Sequence, residues 1–136
     1  MGAWSHESFG NDDACDWASQ LEESDDLELI ESTLDAVLAV GSAYLEAPEA
    51  SQAIAAIEAI ARLQGNFGER NSSSESVDTW VSRMTLKPNE ALVTKAHRVL
   101  GRIVSEPSEL LELWQEGDEG SSWLAVVEEL KARVRT

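Results

Sequence analysis

The sequence predicts an all-α protein, folded as a single-domain irregular or orthogonal bundle of about six to seven helices. Three observations support this prediction. Apolar residues recur at helical spacing through most of the chain, caps, prolines and glycines divide it into segments of ordinary helix length, and no segment has the two-residue period of a strand. With 136 residues, of which 43% are hydrophobic, the chain can bury a core without disulfides or a metal.

Two helices are predicted before residue 42. The first begins at Asn11–Asp13, where an N-cap is followed by first-turn acids, and it runs to about residue 24. The second starts near Asp25 or Asp26 and ends near Gly41. The expected apolar stripes are Ala14, Trp17, Ala18 and Leu21 in the first helix, and Leu27, Ile30, Leu34, Val37 and Leu38 in the second.

The third predicted helix is the most distinctive. It covers Ser51–Ala61, with Pro48 just before its start and Gly65 just after its end. Isoleucines lie on one face, and alanines, which favour helix and allow neighbouring helices to approach closely, fill the rest. We therefore expect this helix to be central and contacted on several sides.

Four more helices are expected in the second half. Residues 65–76, rich in glycine, asparagine and serine, predict a long surface loop inside one domain that spans residues 1–136. The residues expected to start or stop the later helices are Pro88, Asn89, Ser108, Gly117, Gly120 and either Ser121 or Ser122. Their expected apolar positions are Val77, Trp80, Val81, Met84, Leu92, Ala96, Val99, Leu100, Ile103, Leu110, Leu111, Trp114, Trp123, Val127, Leu130 and Val134.

Charge is distributed unevenly along the chain. The 26 acidic and 10 basic residues give a formal net charge of −16. Residues 1–61 hold 14 acids and no lysine or arginine, whereas residues 62–136 hold 12 acids and all 10 bases, so the two parts carry −14 and −2. Nucleic acids and anionic membranes are not expected partners, because both need basic patches. A basic protein partner would relieve the repulsion, and a face that serves only solubility is the alternative.

The clustered acids of the first half define the predicted partner-binding site. Trp4 is included because it precedes the first cap, where it can pack as a hydrophobic staple or stay exposed as an anchor. The complete predicted site is Trp4, Asp12, Asp13, Asp16, Glu22, Glu23, Asp25 and Asp26. The other four tryptophans lie at helical spacing beside apolar residues and are expected in the core.

The first acidic cluster also suggests a metal site. Asp12 and Asp16 lie one helical turn apart, and with His6 or Glu7 nearby they offer the oxygen ligands that Mg²⁺ or Ca²⁺ prefers. Capping and dipole compensation explain the acids that follow Asn11 without any metal, and we prefer this explanation. No cofactor is therefore expected.

No catalytic motif is present, so we predict that the protein is not an enzyme. The sequence lacks a P-loop, Gly-x-Gly-x-x-Gly, Gly-x-Ser-x-Gly and His-Glu-x-x-His. One cysteine and two histidines exclude a zinc site in practice. Neighbouring aspartates disfavour a Cys15 thiolate although the helix N-terminus favours it, and His97 is expected to be an ordinary partly buried or surface histidine.

The chain shows no sign of export or membrane insertion. Its first residues, Met1–His6, contain no lysine or arginine and precede no long apolar run, so no secretory signal is visible. No apolar stretch approaches the roughly 18 residues that cross a bilayer. Because Cys15 is the only cysteine, no internal disulfide can form, and these features together predict a cytoplasmic protein.

The order of several rare residues resembles a known family, catalogued as domain of unknown function 4259. The segments that carry the resemblance at the start of the chain are Met1-Gly2-Ala3-Trp4, Phe9, Asn11-Asp12-Asp13-Ala14 and Asp16-Trp17. The family typically begins Met-Gly-x-Trp-Gly and continues Phe-x-Asn-Asp-x-Ala-x-Asp-Trp, and Ser5 stands here in place of the second glycine. The resemblance extends through Tyr44–Ala47, the alanine-rich helix and Ser108–Trp114. It implies a small, mostly helical, bacterial cytoplasmic protein and carries no catalytic residues to transfer.

We expect a non-enzymatic acidic protein-interaction module that binds a basic protein surface. Small acidic bacterial proteins often serve as immunity or antitoxin proteins that cover the positively charged substrate cleft of a toxin, and this step is an analogy. One alternative is a metal-dependent hydrolase that uses the N-terminal aspartates. The other is a structural protein of unknown function, an oligomer with the alanine-rich helix as its interface. The sequence does not determine the oligomeric state.

Overall fold

A computed structural model describes residues 12–68, 74–117 and 120–135. These ranges contain seven α-helices and no strand, which confirms the predicted all-α fold. The helices are α1 (Asp12–Glu22), α2 (Glu28–Val40), α3 (Ala47–Leu63), α4 (Glu75–Arg83), α5 (Glu90–Ile103), α6 (Glu109–Glu116) and α7 (Gly120–Arg133). None of the described helices is long and apolar enough to cross a membrane.

Helix α3 lies at the centre of the bundle, as its alanine content predicts. Thirteen of its 17 residues are buried, and each of the other six helices packs against it. Alanine side chains allow this close approach from several directions. Because these alanines are already buried inside one chain, α3 does not offer the exposed interface that the structural-oligomer alternative requires.

Helices α1 and α2 pack on α3 through their predicted stripes. All four predicted stripe residues of α1 are buried, and Trp17 Nε1 donates a 2.8 Å hydrogen bond to Thr33 Oγ1 of α2. Helix α2 begins at Glu28 and not at residue 25 or 26, because Asp26 accepts a 3.0 Å hydrogen bond from Glu28 N and belongs to the preceding turn. Residues between the two helices therefore form a short connection.

Other predicted helix boundaries also differ from the structure. Helix α3 begins at Ala47, before the predicted start, with Pro48 in its first turn, where a missing N–H leaves no hydrogen bond unmade. Helix α4 begins at Glu75, inside the predicted loop, and residues 69–73 of that loop lie outside the described residues. Gly120 was predicted to interrupt the helices, with Ser121 or Ser122 at the start of the last one, but α7 begins at Gly120 and both serines lie within it.

Backbone contacts tie the α2–α3 connection to the α5–α6 connection. Leu45 N donates to Pro107 O at 3.1 Å, and Glu109 N donates to Leu45 O at 2.8 Å. The Arg102 guanidinium donates to the carbonyl oxygens of Gly41, Ala43, Ser105 and Pro107. These bonds place the first turns of α3 and α6 side by side.

The tryptophans of the described residues are core residues or lie beside the core, as predicted. Trp17, Trp80 and Trp123 are at most 3% exposed. Trp114 is partly buried and stacks on Trp123, with ring centroids 6.1 Å apart and planes 6° from parallel. Trp4 lies outside the described residues.

Candidate functional site

The connection between α1 and α2 carries a dense group of carboxylates. We name residues 22–28 the acidic turn. Its exposed acids are Glu22, Glu23, Asp25, Asp26 and Glu28. Beside them a surface depression of about 300 Å³ is lined by Ser24, Asp25, Asp26, Glu28, Leu29 and Ser32. Four residues of the predicted partner-binding site thus lie together on one exposed segment.

Two side chains of α4 hold the acidic turn. The fully buried Trp80 donates from Nε1 to Ser24 O at 2.9 Å. Arg83 Nη2 donates to Glu22 O and, at 3.4 Å, to Ser24 O, and its Nη1 lies 3.7 Å from Asp25 Oδ1. Carbonyl groups at the end of a helix lack intrahelical donors. Helix α4 therefore supplies the donors that the end of α1 lacks.

The dipoles of α1 and α2 act differently on the glutamates and the aspartates of the turn. Glu22 and Glu23 lie at the C-terminal end of α1, which has no basic residue in its last turn. A carboxylate at this negative end of the helix dipole costs about 0.3–1 kcal/mol. Asp25 and Asp26 precede the N-terminus of α2, where the dipole favours acids. The helix dipole therefore favours the two aspartates and disfavours the two glutamates.

The remaining acids of the predicted site lie at the other end of α1. Asp12 and Asp13 occupy its first turn, where they complement the positive end of the dipole, and Asp16 is exposed one turn later. A helix of 11 residues is about 16 Å long. The structure therefore does not bring the first-turn aspartates together with Glu22, and it places the described residues of the predicted site in two groups.

The described part of α1 gives the metal-dependent alternative no geometric support. Among the described residues, no group of three or more histidine, cysteine, aspartate or glutamate side chains is arranged to hold a metal ion. His6 and Glu7, which would complete the predicted ligand set, lie outside the described residues.

Later bases neutralise some acids of the first half. Lys95 Nζ of α5 lies 3.0 Å from Glu31 Oε2 and 2.7 Å from Asp35 Oδ1 on the exposed side of α2. Hydrogen bonds to Asp35 and then to Glu31 raise the pKa of Lys95. Within the described ranges Glu22 and Glu23 have no ion-pair partner. The acidic turn therefore carries uncompensated negative charge at Glu22 and Glu23.

A cluster of charges inside the protein was not predicted from the sequence. Glu58 and Arg62 of α3, Asp78 of α4 and Arg133 of α7 form this buried charge cluster. The Glu58 and Arg62 side chains are only 3% and 2% exposed. The sequence signal that could have identified it is a pair of opposite charges at i and i+4 within an otherwise apolar helix.

The members of the buried charge cluster bind one another through hydrogen bonds and ion pairs. Arg133 donates from Nη1 to Glu58 Oε2 at 2.6 Å and from Nη2 to Glu58 Oε1 at 2.8 Å, and Arg62 Nε donates to Glu58 Oε2 at 3.0 Å. Arg62 also pairs with Asp78, which accepts a 2.8 Å hydrogen bond from Ser74 Oγ. Hydrogen bonding to Glu58 is the main cause that raises the pKa of Arg133. The cluster joins three helices and is structural.

A second exposed acidic region surrounds Tyr44, the only tyrosine of the chain. Its side chain is 48% exposed, and its hydroxyl donates to Glu112 Oε1 at 2.9 Å. Desolvation, then this hydrogen bond and the charges of Glu112, Glu109 and Glu46, raise the pKa of Tyr44 to about 12. These glutamates lie in or just before the first turns of α3 and α6, where the helix dipole favours acids.

Cys15 and His97 are the remaining described residues that were considered for a catalytic role. Burial raises the pKa of the Cys15 thiol, and the charges of Asp12 and Asp16 raise it further. The thiolate form that a nucleophile needs is therefore disfavoured. His97 Nε2 lies 2.7 Å from Val134 O and helps to hold the end of α7, as a structural histidine does.

Comparison with known proteins identifies the family of the chain and no activity. The chain has no significant match among the curated proteins or among the solved structures. One family model matches residues 2–126 and bears the description Domain of unknown function (DUF4259). This match includes all of the acidic turn and ends within α7. The chain therefore belongs to the DUF4259 family.

Proposed function

We propose that this protein is a non-enzymatic interaction module that binds a basic surface of a protein partner through the acidic turn. One observation carries the proposal. Glu22 and Glu23 are exposed, have no ion-pair partner in the described residues, and lie at the end of α1 where carboxylates reduce stability. Folding alone does not favour acids at these two positions.

A basic partner would add positive charge beside Glu22 and Glu23, which have no ion-pair partner among the described residues. Lysine or arginine side chains of the partner would approach carboxylates that are exposed and already held in place from α4. Charges arranged in this way steer the encounter and raise the association rate, and the effect weakens as salt screens them. Binding through the acidic turn should therefore be fast and strongly salt-dependent.

The class of partner is proposed by analogy with other small acidic proteins. A toxin that acts on a polyanion has a positively charged cleft, and an acidic protein can cover that cleft as an immunity protein or antitoxin does. The net charge of −16 suits such a partner and opposes direct binding of nucleic acid. We propose a bacterial cytoplasmic setting, since a chain with one cysteine forms no internal disulfide.

Charge reversal at the turn tests the proposal. The double variant Glu22→Lys/Glu23→Lys is compared with the wild type by fluorescence anisotropy, with a labelled arginine-rich peptide as the probe at low salt. We expect the affinity to fall about tenfold or more, because attraction is replaced by repulsion at the contact. Wild-type affinity should also fall as salt is added.

A matched control separates a docking surface from general acidity. Glu116→Lys/Glu128→Lys makes the same change in net charge at two exposed positions on α6 and α7, far along the chain from the turn. We expect this variant to bind the peptide much more tightly than the turn variant does. Equal losses in the two variants would show that the probe responds to net charge alone and would contradict the proposal.

A further inference from the structure

We propose that Glu58 of α3 and the segment that follows α3 form a guanidinium-binding site, which Arg133 occupies as a ligand from within the same chain. This inference does not depend on the proposed function of the acidic turn. The Glu58 side chain is only 3% exposed and belongs to the central helix of the bundle. Arg133 enters from the last turn of α7, 75 residues further along the chain. The site and its ligand are thus carried by different elements.

Each nitrogen of the Arg133 guanidinium has an acceptor. Nη1 and Nη2 donate to the two oxygens of Glu58 at 2.6 and 2.8 Å. Nη1 also donates to Asn66 O at 3.1 Å, and Nε donates to Glu129 Oε2 at 2.7 Å. Two parallel bonds to one carboxylate require the planar fork of a guanidinium, which an ammonium lacks. Because Glu58 Oε2 also accepts from Arg62 Nε of the same helix, α3 itself orients the carboxylate that receives the ligand.

The chain that follows α3 packs directly against the guanidinium. A Cβ atom added at Gly68 would lie 2.9 Å from Arg133 Nη2 and 3.0 Å from its Cζ. These distances are shorter than the optimal separation of non-bonded carbon atoms, about 3.5–4.0 Å. A side chain at this position would therefore displace the backbone or the guanidinium. The absence of a side chain at Gly68 lets the backbone approach one side of the planar group.

Side chains outside α7 also hold the backbone that carries Arg133. Asn66 Nδ2 donates to Arg133 O at 2.7 Å, and His97 Nε2 of α5 lies 2.7 Å from Val134 O. Carbonyl groups at the C-terminal end of a helix lack intrahelical donors. The end of α7 is thus recognised both through its backbone and through the guanidinium, which points to a site built for an arginine at this place.

Removal of the ligand should destabilise the protein. Arg133→Ala leaves the Glu58 carboxylate without its bidentate donor and leaves a space where the guanidinium was. We expect the melting temperature to fall by about 10 °C or more. Arg135→Ala is the matched control, because the guanidinium of Arg135 is exposed and donates to Ala132 O of its own helix. This control should change the melting temperature by no more than about 2 °C.

The decisive experiment adds methylguanidinium to Arg133→Ala at millimolar concentration and measures thermal unfolding by circular dichroism. A ligand that binds only the folded state stabilises it, so we expect the melting temperature to recover by about 5 °C at about tenfold above the Kd. Methylammonium carries the same charge without the fork and should give no recovery. The melting temperature of the wild type should not rise, because Arg133 fills the site. If Arg133→Ala is unfolded without ligand, the same titration follows the return of the helical signal.

Two further variants show whether the added ligand occupies the predicted site. Arg133→Lys keeps a cation beside Glu58 and should not respond to methylguanidinium. Glu58→Gln/Arg133→Ala lacks the acceptor carboxylate and should not respond either. Its loss of melting temperature should be smaller than the sum of the losses in Glu58→Gln and Arg133→Ala, because both changes break the same interaction.

Three results would overturn the inference. They are no response of Arg133→Ala to methylguanidinium, an equal response to methylammonium, and a response that persists in Glu58→Gln/Arg133→Ala. None of these measurements involves the basic peptide. Failure of the proposed function, seen as unchanged peptide affinity in Glu22→Lys/Glu23→Lys, is therefore a separate outcome.

Discussion

The acidic turn and the buried charge cluster show two opposite arrangements of charged residues in one small protein. The buried charge cluster contains two acids and two arginines, and both oxygens of Glu58 accept hydrogen bonds from arginine. The acidic turn contains five exposed acids and is reached by one arginine, Arg83. The first arrangement uses every charge to join helices, whereas the second leaves carboxylates available to another molecule.

The difference follows from the energy of an unpaired charge in each place. A buried charge that loses its partner costs about 3–5 kcal/mol, whereas an exposed pair contributes about 0–1 kcal/mol. The interior of a protein therefore requires pairing, and the surface permits its absence. Unpaired carboxylates at the surface are consequently where selection for binding, and not for folding, can act.

The largest expected effect is the loss of the buried carboxylate. Glu58→Gln leaves Arg62 and Arg133 without their shared acceptor charge inside the protein. We expect the free energy of unfolding to fall by about 3–5 kcal/mol. Urea unfolding followed by circular dichroism measures this change. The control is Glu129→Gln, which removes an exposed i,i+4 partner of Arg133 and should cost no more than about 0.5 kcal/mol. Similar decreases in the free energy of unfolding for both variants would contradict the difference between buried and exposed charges.

Much of the fold could be predicted from the sequence because apolar periodicity reports which face of each helix is buried. The α1 stripe and the Asn89 cap are confirmed, the cap through a bond to Leu92 N. The early start of α3 was missed because Pro48 was read as a residue before the helix and not as part of its first turn. The sequence pattern around a proline does not determine whether the helix begins before or after it.

The half-exposed Tyr44 offers an intermediate case between the two regions. With a folded-state pKa of about 12, above the usual value of about 10, its neutral form is favoured in the native protein. The corresponding stabilisation is present below pH 10 and is lost as the pH rises through 12. Glu112→Gln removes the charged acceptor and should lower the pKa of Tyr44.

Ultraviolet absorbance of the tyrosinate measures this titration without interference from a second tyrosine. Tyr44→Phe is the control, since it should abolish the absorbance change between pH 10 and 12. A Glu112→Gln titration that coincides with the wild type would show that Glu112 does not favour the neutral hydroxyl. The charge near Tyr44 would then behave as solvent-screened surface charge.

The candidate site was harder to predict than the fold. Asp12, Asp13 and Asp16 were grouped with the acids of the turn because all of them are close together in the sequence. The helix dipole separates the two groups, but its effect on each acid depends on where α1 begins and ends. The buried charge cluster was missed because Arg133 is 75 residues from Glu58. A pairing of this kind depends on the packing of α3 against α7 and leaves no local pattern.

The smallest expected effect is a change in the free energy of unfolding whose sign depends on which end of α1 carries the substituted charge. Glu23→Lys places a positive charge at the C-terminal end of the helix, and we expect it to raise the free energy of unfolding by about 0.3–1 kcal/mol. Asp13→Lys makes the same change in charge in the first turn and should lower the free energy of unfolding by a similar amount. Parallel urea titrations measure both. Changes of the same sign would mean that net charge, and not the helix dipole, determines stability here.

A Glu23→Lys variant that gains stability while it loses affinity for the basic peptide would show that this carboxylate is maintained for binding at the expense of folding.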